Sequence, residues 1–198
     1  MHFSKGALTY ASVPEVLGGV GCHKIFADKL GADDTKEAYH FNFALGQYVR
    51  LLVGMSPPKV TRVDVYESQG VEDAFNSQKN DFERKGKSTD QVWVFHGTGT
   101  AGGVEAICRG GFKVGGEGVA VVNGAVHGQG VYAATGPDTP MGYGRASNSV
   151  VLCKALPGRQ CASPKAGEKG VGDSWKPLRD WVIFKQAAQL LPKYVVHF

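Results

Sequence analysis

Fifteen of the chain's 28 glycines fall between Gly97 and Gly144. Glycine inside a helix or strand costs about 0.5–1 kcal/mol relative to alanine, so this stretch works against long regular elements. It predicts short strands, irregular connections and places where backbone comes close to another group. The 198 residues suit one domain, or one domain with a small extension. At 42% hydrophobic and 20% charged residues, the chain can bury a core and is not a disordered tract.

No run of about 18 apolar residues occurs, so no membrane-spanning helix is expected. Residues 1–19 lack the continuous apolar stretch of a signal peptide. Cys22, Cys108, Cys153 and Cys161 form no C-x-x-C pair, and no histidine stands at zinc-finger spacing. The expectation is free thiols in a reducing compartment, cytoplasmic or nuclear, with no metal and no membrane partner. Net charge is +4. Residues 1–90 carry 11 basic and 12 acidic residues, whereas residues 91–198 carry 11 and 6. The basic excess of the second part suits a phosphate-bearing ligand but is too weak to indicate nucleic acid.

Residues 14–55 read as helical, because Phe41, Ala44, Leu45, Tyr48 and Leu52 recur at helical spacing. Ser56-Pro57-Pro58 would stop that helix. Residues 1–58 are therefore expected to be a helical N-terminal extension, and residues 59–198 the main domain. Within the latter, residues 59–66 and 92–95 read as strands. Val71, Phe75 and Phe82 share a face of a helix over 71–86, and a second helix is expected over 101–109. Short strands follow at 130–134, 149–156, 181–184 and 194–198.

Residues 97–102, Gly-Thr-Gly-Thr-Ala-Gly, match G-x-G-x-x-G after a strand and before a helix. Glu117 follows at about the distance of a ribose-binding acid. Taken alone this is a Rossmann oxidoreductase with a parallel sheet. The residues after Gly102 lack the crossover helices such a domain requires, and His96 precedes a turn that needs only small residues. The Rossmann reading stays as a remote alternative.

A second set of residues points elsewhere: His96-Gly97-Thr98, then Gly128-Gln129-Gly130-Val131-Tyr132, then Tyr143 eleven residues on. Asp180-Trp181-Val182-Ile183-Phe184 and Leu191-Pro192-Lys193-Tyr194 follow near the end. This order resembles the catalytic domain of PARP-type (poly(ADP-ribose) polymerase superfamily) ADP-ribosyltransferases, over about residues 59–198. The resemblance implies an α+β ADP-ribosyltransferase fold, with two small antiparallel-rich sheets and a NAD cleft between them. It implies cleavage of the nicotinamide–ribose bond of NAD, through an oxocarbenium-like transition state. The mono-ADP-ribosylating members are the closest, with an unidentified protein as acceptor and no metal.

The same resemblance implies roles. His96 donates to the adenosine ribose. Tyr132 is the second member of the family's three-residue signature. Gly97 offers backbone N–H and C=O to the nicotinamide amide, and Thr98 adds a hydroxyl. Tyr143 is the stacking platform for the pyridinium ring. Gly130 belongs with the NAD-binding residues. The family's amide-assisting serine falls here at Pro140, with Thr139 beside it as a substitute. Residues 113–129 form the loop that lids NAD in the family. The family's polymerising members carry Glu at the position of Asp180. Asp sets its carboxylate about 1.5 Å back, one C–C bond, and a misplacement of about 1 Å can cost about a hundredfold in rate. Chain elongation is therefore not expected. The plain alternatives are a structural histidine at a strand end, two packed core tyrosines and a solvated Asp180. They correspond to a catalytically silent interaction module on the same fold; an NAD hydrolase is the further variant. Asp173-Ser174 reads as a turn.

Overall fold

A computed structural model describes residues 16–17, 20–52, 58–100, 102–115, 125–178 and 180–198. Among the described residues there are ten strands: β1 (Val16–Leu17), β2 (Val20–Phe26), β3 (Arg62–Ser68), β4 (Val92–His96), β5 (Val131–Ala134), β6 (Ser149–Ala155), β7 (Gln160–Cys161), β8 (Ser174–Trp175), β9 (Trp181–Phe184) and β10 (Leu190–His197). Four helices accompany them: α1 (Lys36–Arg50), α2 (Gln69–Arg84), α3 (Gly103–Gly110) and α4 (Asp138–Tyr143). The fold is mixed α+β. The strands form one sheet in the order β1-β2-β3-β10-β6-β4-β5-β9-β8-β7. Every pairing is antiparallel except β7 with β8. That pattern excludes the parallel sheet of the Rossmann reading.

The two separate sheets expected from the resemblance are instead two parts of one sheet. β4 runs along β6 from Val92 to His96, and β5 runs along β9 from Val131 to Ala134. Between β4 and β5 there is a single pair, Phe95 with Ala134. Six strands on one side are thus joined to four on the other by one rung. Past that rung the two strands stop pairing, and His96 ends β4 at the junction.

The continuous helix expected over 14–55 is not formed. Residues 20–26 are strand β2, a 3₁₀ turn covers Ala27–Lys29, and the helix begins at Lys36. All seven residues of β2 pair with β3, from Val20 with Ser68 to Phe26 with Arg62. This long-range ladder overrides the local pattern, as tertiary context does for strand preference in general. Thr35 caps α1, its hydroxyl accepting from the Ala38 N–H at 3.1 Å. The stripe read from sequence is real: Phe41, Ala44 and Tyr48 of α1 pack on Val63, Val65, Phe95, Leu152 and Val196. Residues on both sides of position 58 therefore share one sheet and one core. Ser56 and Pro57 lie outside the described residues.

α1 covers one face of the six-strand part. α3 covers part of the other face, where Cys108 packs with Tyr66, Val94, Val151, Cys153 and Val195. α2 closes one end through Val71, Phe75 and Phe82 against Leu156 and Leu191. Each fully buried large apolar side chain contributes about 1.5–3 kcal/mol. The remaining strands and helices fall within a few residues of their expected spans, except that β10 starts four residues early, at Leu190, and β1, α4, β7 and β8 have no counterpart among the expected elements.

Candidate active site

The residues singled out in the sequence gather at the β4–β5 junction. His96 Nδ1 lies 2.8 Å from the carbonyl oxygen of Tyr132 on β5. A carbonyl only accepts, so Nδ1 carries the proton and donates. The ring packs edge-on against Phe112, with centroids 5.0 Å apart. Burial holds His96 below the ordinary imidazole value, outweighing the opposing pull of the Tyr132 carbonyl. The neutral ring with Nδ1–H leaves Nε2 as an acceptor. This reverses the donor role expected for His96: toward a ligand hydroxyl, the free nitrogen accepts.

Gly97 has a different reason to be glycine from the one expected. A Cβ there would lie 1.9 Å from the carbonyl oxygen of Pro140 in α4. The missing side chain admits α4, whose short helix is thereby pressed onto the end of β4. Neither the N–H nor the C=O of Gly97 makes a backbone hydrogen bond among the described residues. The Thr98 hydroxyl is 3.0 Å from that of Thr100. Tyr143, the last residue of α4, is 43% exposed, and its carbonyl would lie 3.3 Å from a Cβ on Gly99. The amide-binding candidates and the stacking candidate are thus carried on two neighbouring segments.

Tyr132 is half-buried, and its hydroxyl is used inside the fold. It donates to the Gly128 carbonyl at 2.8 Å and accepts from the His127 N–H at 3.1 Å. Burial raises its pKa. Its ring meets Trp181 edge-on at 5.9 Å, and His127 meets Trp181 in the same way at 5.6 Å. The Trp175 indole N–H donates to the His127 carbonyl at 2.6 Å. Gly128 and Gly130 are explained by packing. Gly128 has φ +98 and a Cβ would strike Pro164; a Cβ on Gly130 would lie 2.5 Å from the Phe184 carbonyl. Glycine at position 130 therefore lets β5 pair closely with β9.

Asp180 is half-buried one residue before β9. One carboxylate oxygen accepts from the Thr139 hydroxyl at 2.9 Å. The Asp180 carbonyl accepts from the Thr135 N–H at 2.7 Å and from the Thr135 hydroxyl at 3.3 Å. Asp180 is therefore anchored in the fold and is not a freely solvated carboxylate. Thr139 holds this acid, a task that spacing alone did not reveal.

Glu117 and most of the candidate lid, residues 116–124, lie outside the described residues. Asp173, expected in a plain turn, is 8% exposed. Its carboxylate accepts from Lys87 Nζ at 2.7 Å and from the Arg159 N–H at 2.9 Å. Among the described residues no group of three or more His, Cys, Asp or Glu is placed to hold a metal. No described helix is long and apolar enough to cross a membrane. No protein-family model and no curated protein matches this chain.

Proposed function

We propose that the chain is an ADP-ribosyltransferase that moves one ADP-ribose unit from NAD to a protein acceptor and releases nicotinamide. The observation that carries the proposal is the convergence of His96, Gly97, Thr98, Thr139, Tyr143 and Asp180 on one strand junction. They come from three segments, residues 96–98, 139–143 and 180. The donor set fits NAD. The Gly97 N–H and C=O, without a backbone partner among the described residues, match the acceptor and donor of a carboxamide, and the exposed Tyr143 ring suits a flat cation. The Nε2 acceptor of His96 matches a ribose hydroxyl.

In the reaction the bond between ribose C1′ and the pyridinium nitrogen breaks, and its electron pair returns to nicotinamide. A nucleophile on the acceptor bonds to C1′ and loses its proton. The Asp180 carboxylate, oriented by Thr139, stabilises the positive charge that develops on the ribose. One specific observation favours the silent-module reading: the Tyr132 hydroxyl and one Asp180 oxygen already have partners within the fold.

Incubation with NAD labelled in the adenylate moiety, together with cytoplasmic and nuclear proteins as acceptors, separates the readings. Label on protein with free nicotinamide supports transfer. Free ADP-ribose with unlabelled protein would make the chain a hydrolase, and intact NAD would make it a silent module.

A further inference from the structure

A cleft of about 550 Å³ opens on the α3 face of the sheet, lined by β2, β3 and the end of β10. Its lining includes Lys24, Arg62, Asp64, Arg109, Ser149 and His197. Where neighbouring strands put Val151 and Val195 into the core on this face, β3 places a charged pair. Asp64 is 3% exposed. Its carboxylate accepts from Arg62 Nε at 2.7 Å and Nη2 at 3.1 Å, and from His197 Nε2 at 2.9 Å. Burial alone would raise the pKa of Asp64, but His197 and Arg62 together hold it below the ordinary carboxylate value. The buried acid is thus fully partnered, and it fixes the guanidinium at the cleft wall.

Arg62 Nη1 and Lys24 Nζ make no hydrogen bond among the described residues. Three permanent cations, Lys24, Arg62 and Arg109, face two carboxylates, Asp64 and Glu105. Glu105 lies beside Arg109, with 2.7 Å between them. A guanidinium held in place by Asp64 and His197 with its Nη1 left over, and a second, exposed lysine ammonium, match the oxygens of a tetrahedral anion. The volume exceeds that of a bare ion and falls in the range of small-molecule sites. We infer that this cleft is a second binding site, for a small molecule bearing a phosphate group. Asp64 and His96 stand on one rung of the sheet with Val195 and Val151 between them, about 14 Å apart in three strand spacings.

The test is an amide NMR titration with inorganic phosphate at constant ionic strength, with acetate as the planar-anion control. The expected result is saturable shifts at residues 22–24, 62–66 and 104–109 with phosphate, and weaker ones with acetate. The Lys24→Glu/Arg109→Glu double variant removes exposed charges and leaves the Arg62–Asp64–His197 cluster intact, so the fold is retained. It should weaken phosphate binding at least about tenfold. Non-saturating shifts, equal response to acetate, or unchanged binding in the double variant would overturn the inference. Because the readout contains no NAD, failure of ADP-ribosyl transfer would leave this result standing, and the reverse holds too.

Discussion

His96 Nδ1 donates to the backbone carbonyl of Tyr132 across 2.8 Å, tying the end of β4 to β5 just beyond their single rung. The bond fixes the tautomer of a ring that burial keeps neutral. In the folded state His96 resists protonation, so between its folded value and the ordinary 6.5 the unfolded chain binds more protons. Stability is therefore present above 6.5 and is lost as pH falls through that window. His96→Asn, whose amide can still donate to Tyr132, should flatten the difference in urea midpoint between pH 7.5 and pH 5.5 relative to wild type. An unchanged pH slope would contradict the assignment.

Thr139→Val removes the hydroxyl that orients Asp180 while keeping shape. Nicotinamide release should fall by about tenfold, consistent with a mispositioned carboxylate, with the melting temperature nearly unchanged. Asp180→Asn should cost more, about a hundredfold. Equal activity of both variants with wild type would remove Asp180 from the chemistry.

Tyr132→Phe separates scaffold from catalysis. Losing the bonds to His127 and Gly128 should cost about 1–2 kcal/mol in chemical denaturation. The carbonyl that holds His96 is retained, so NAD cleavage by the folded protein should stay within a few-fold of wild type. A complete loss of cleavage with normal stability would give the hydroxyl a direct role.

Gly97→Ala drives a methyl into the Pro140 carbonyl, 1.9 Å away. The close backbone contact cannot rotate aside, so α4 must move. A destabilisation of about 1–3 kcal/mol is expected, with NMR shifts concentrated at residues 138–143. Wild-type stability in this variant would mean that the Gly97–α4 contact is not formed in solution.

The strands and helices with clear local signals were legible in the sequence. Val71, Phe75 and Phe82 marked α2, and Trp181–Phe184 marked β9 to the residue. β2 was not legible, because Gly21 and Lys24 interrupt any alternation and its stability comes from the ladder with β3. The candidate residues were readable as motifs, but the reasons for the glycines were not. Gly97 and Gly130 are fixed by the Pro140 and Phe184 carbonyls, contacts between segments far apart in the chain. The Thr139–Asp180 bond was equally hidden, since 41 residues separate its partners.

Nicotinamide release from NAD by the purified chain, measured beside His96→Ala, tests the proposed role of His96 most directly. Release by wild type and a loss of at least about tenfold in the variant are expected, with nicotinamide and no reduced dinucleotide as product. Intact NAD with wild type, or equal release by the variant, would contradict it.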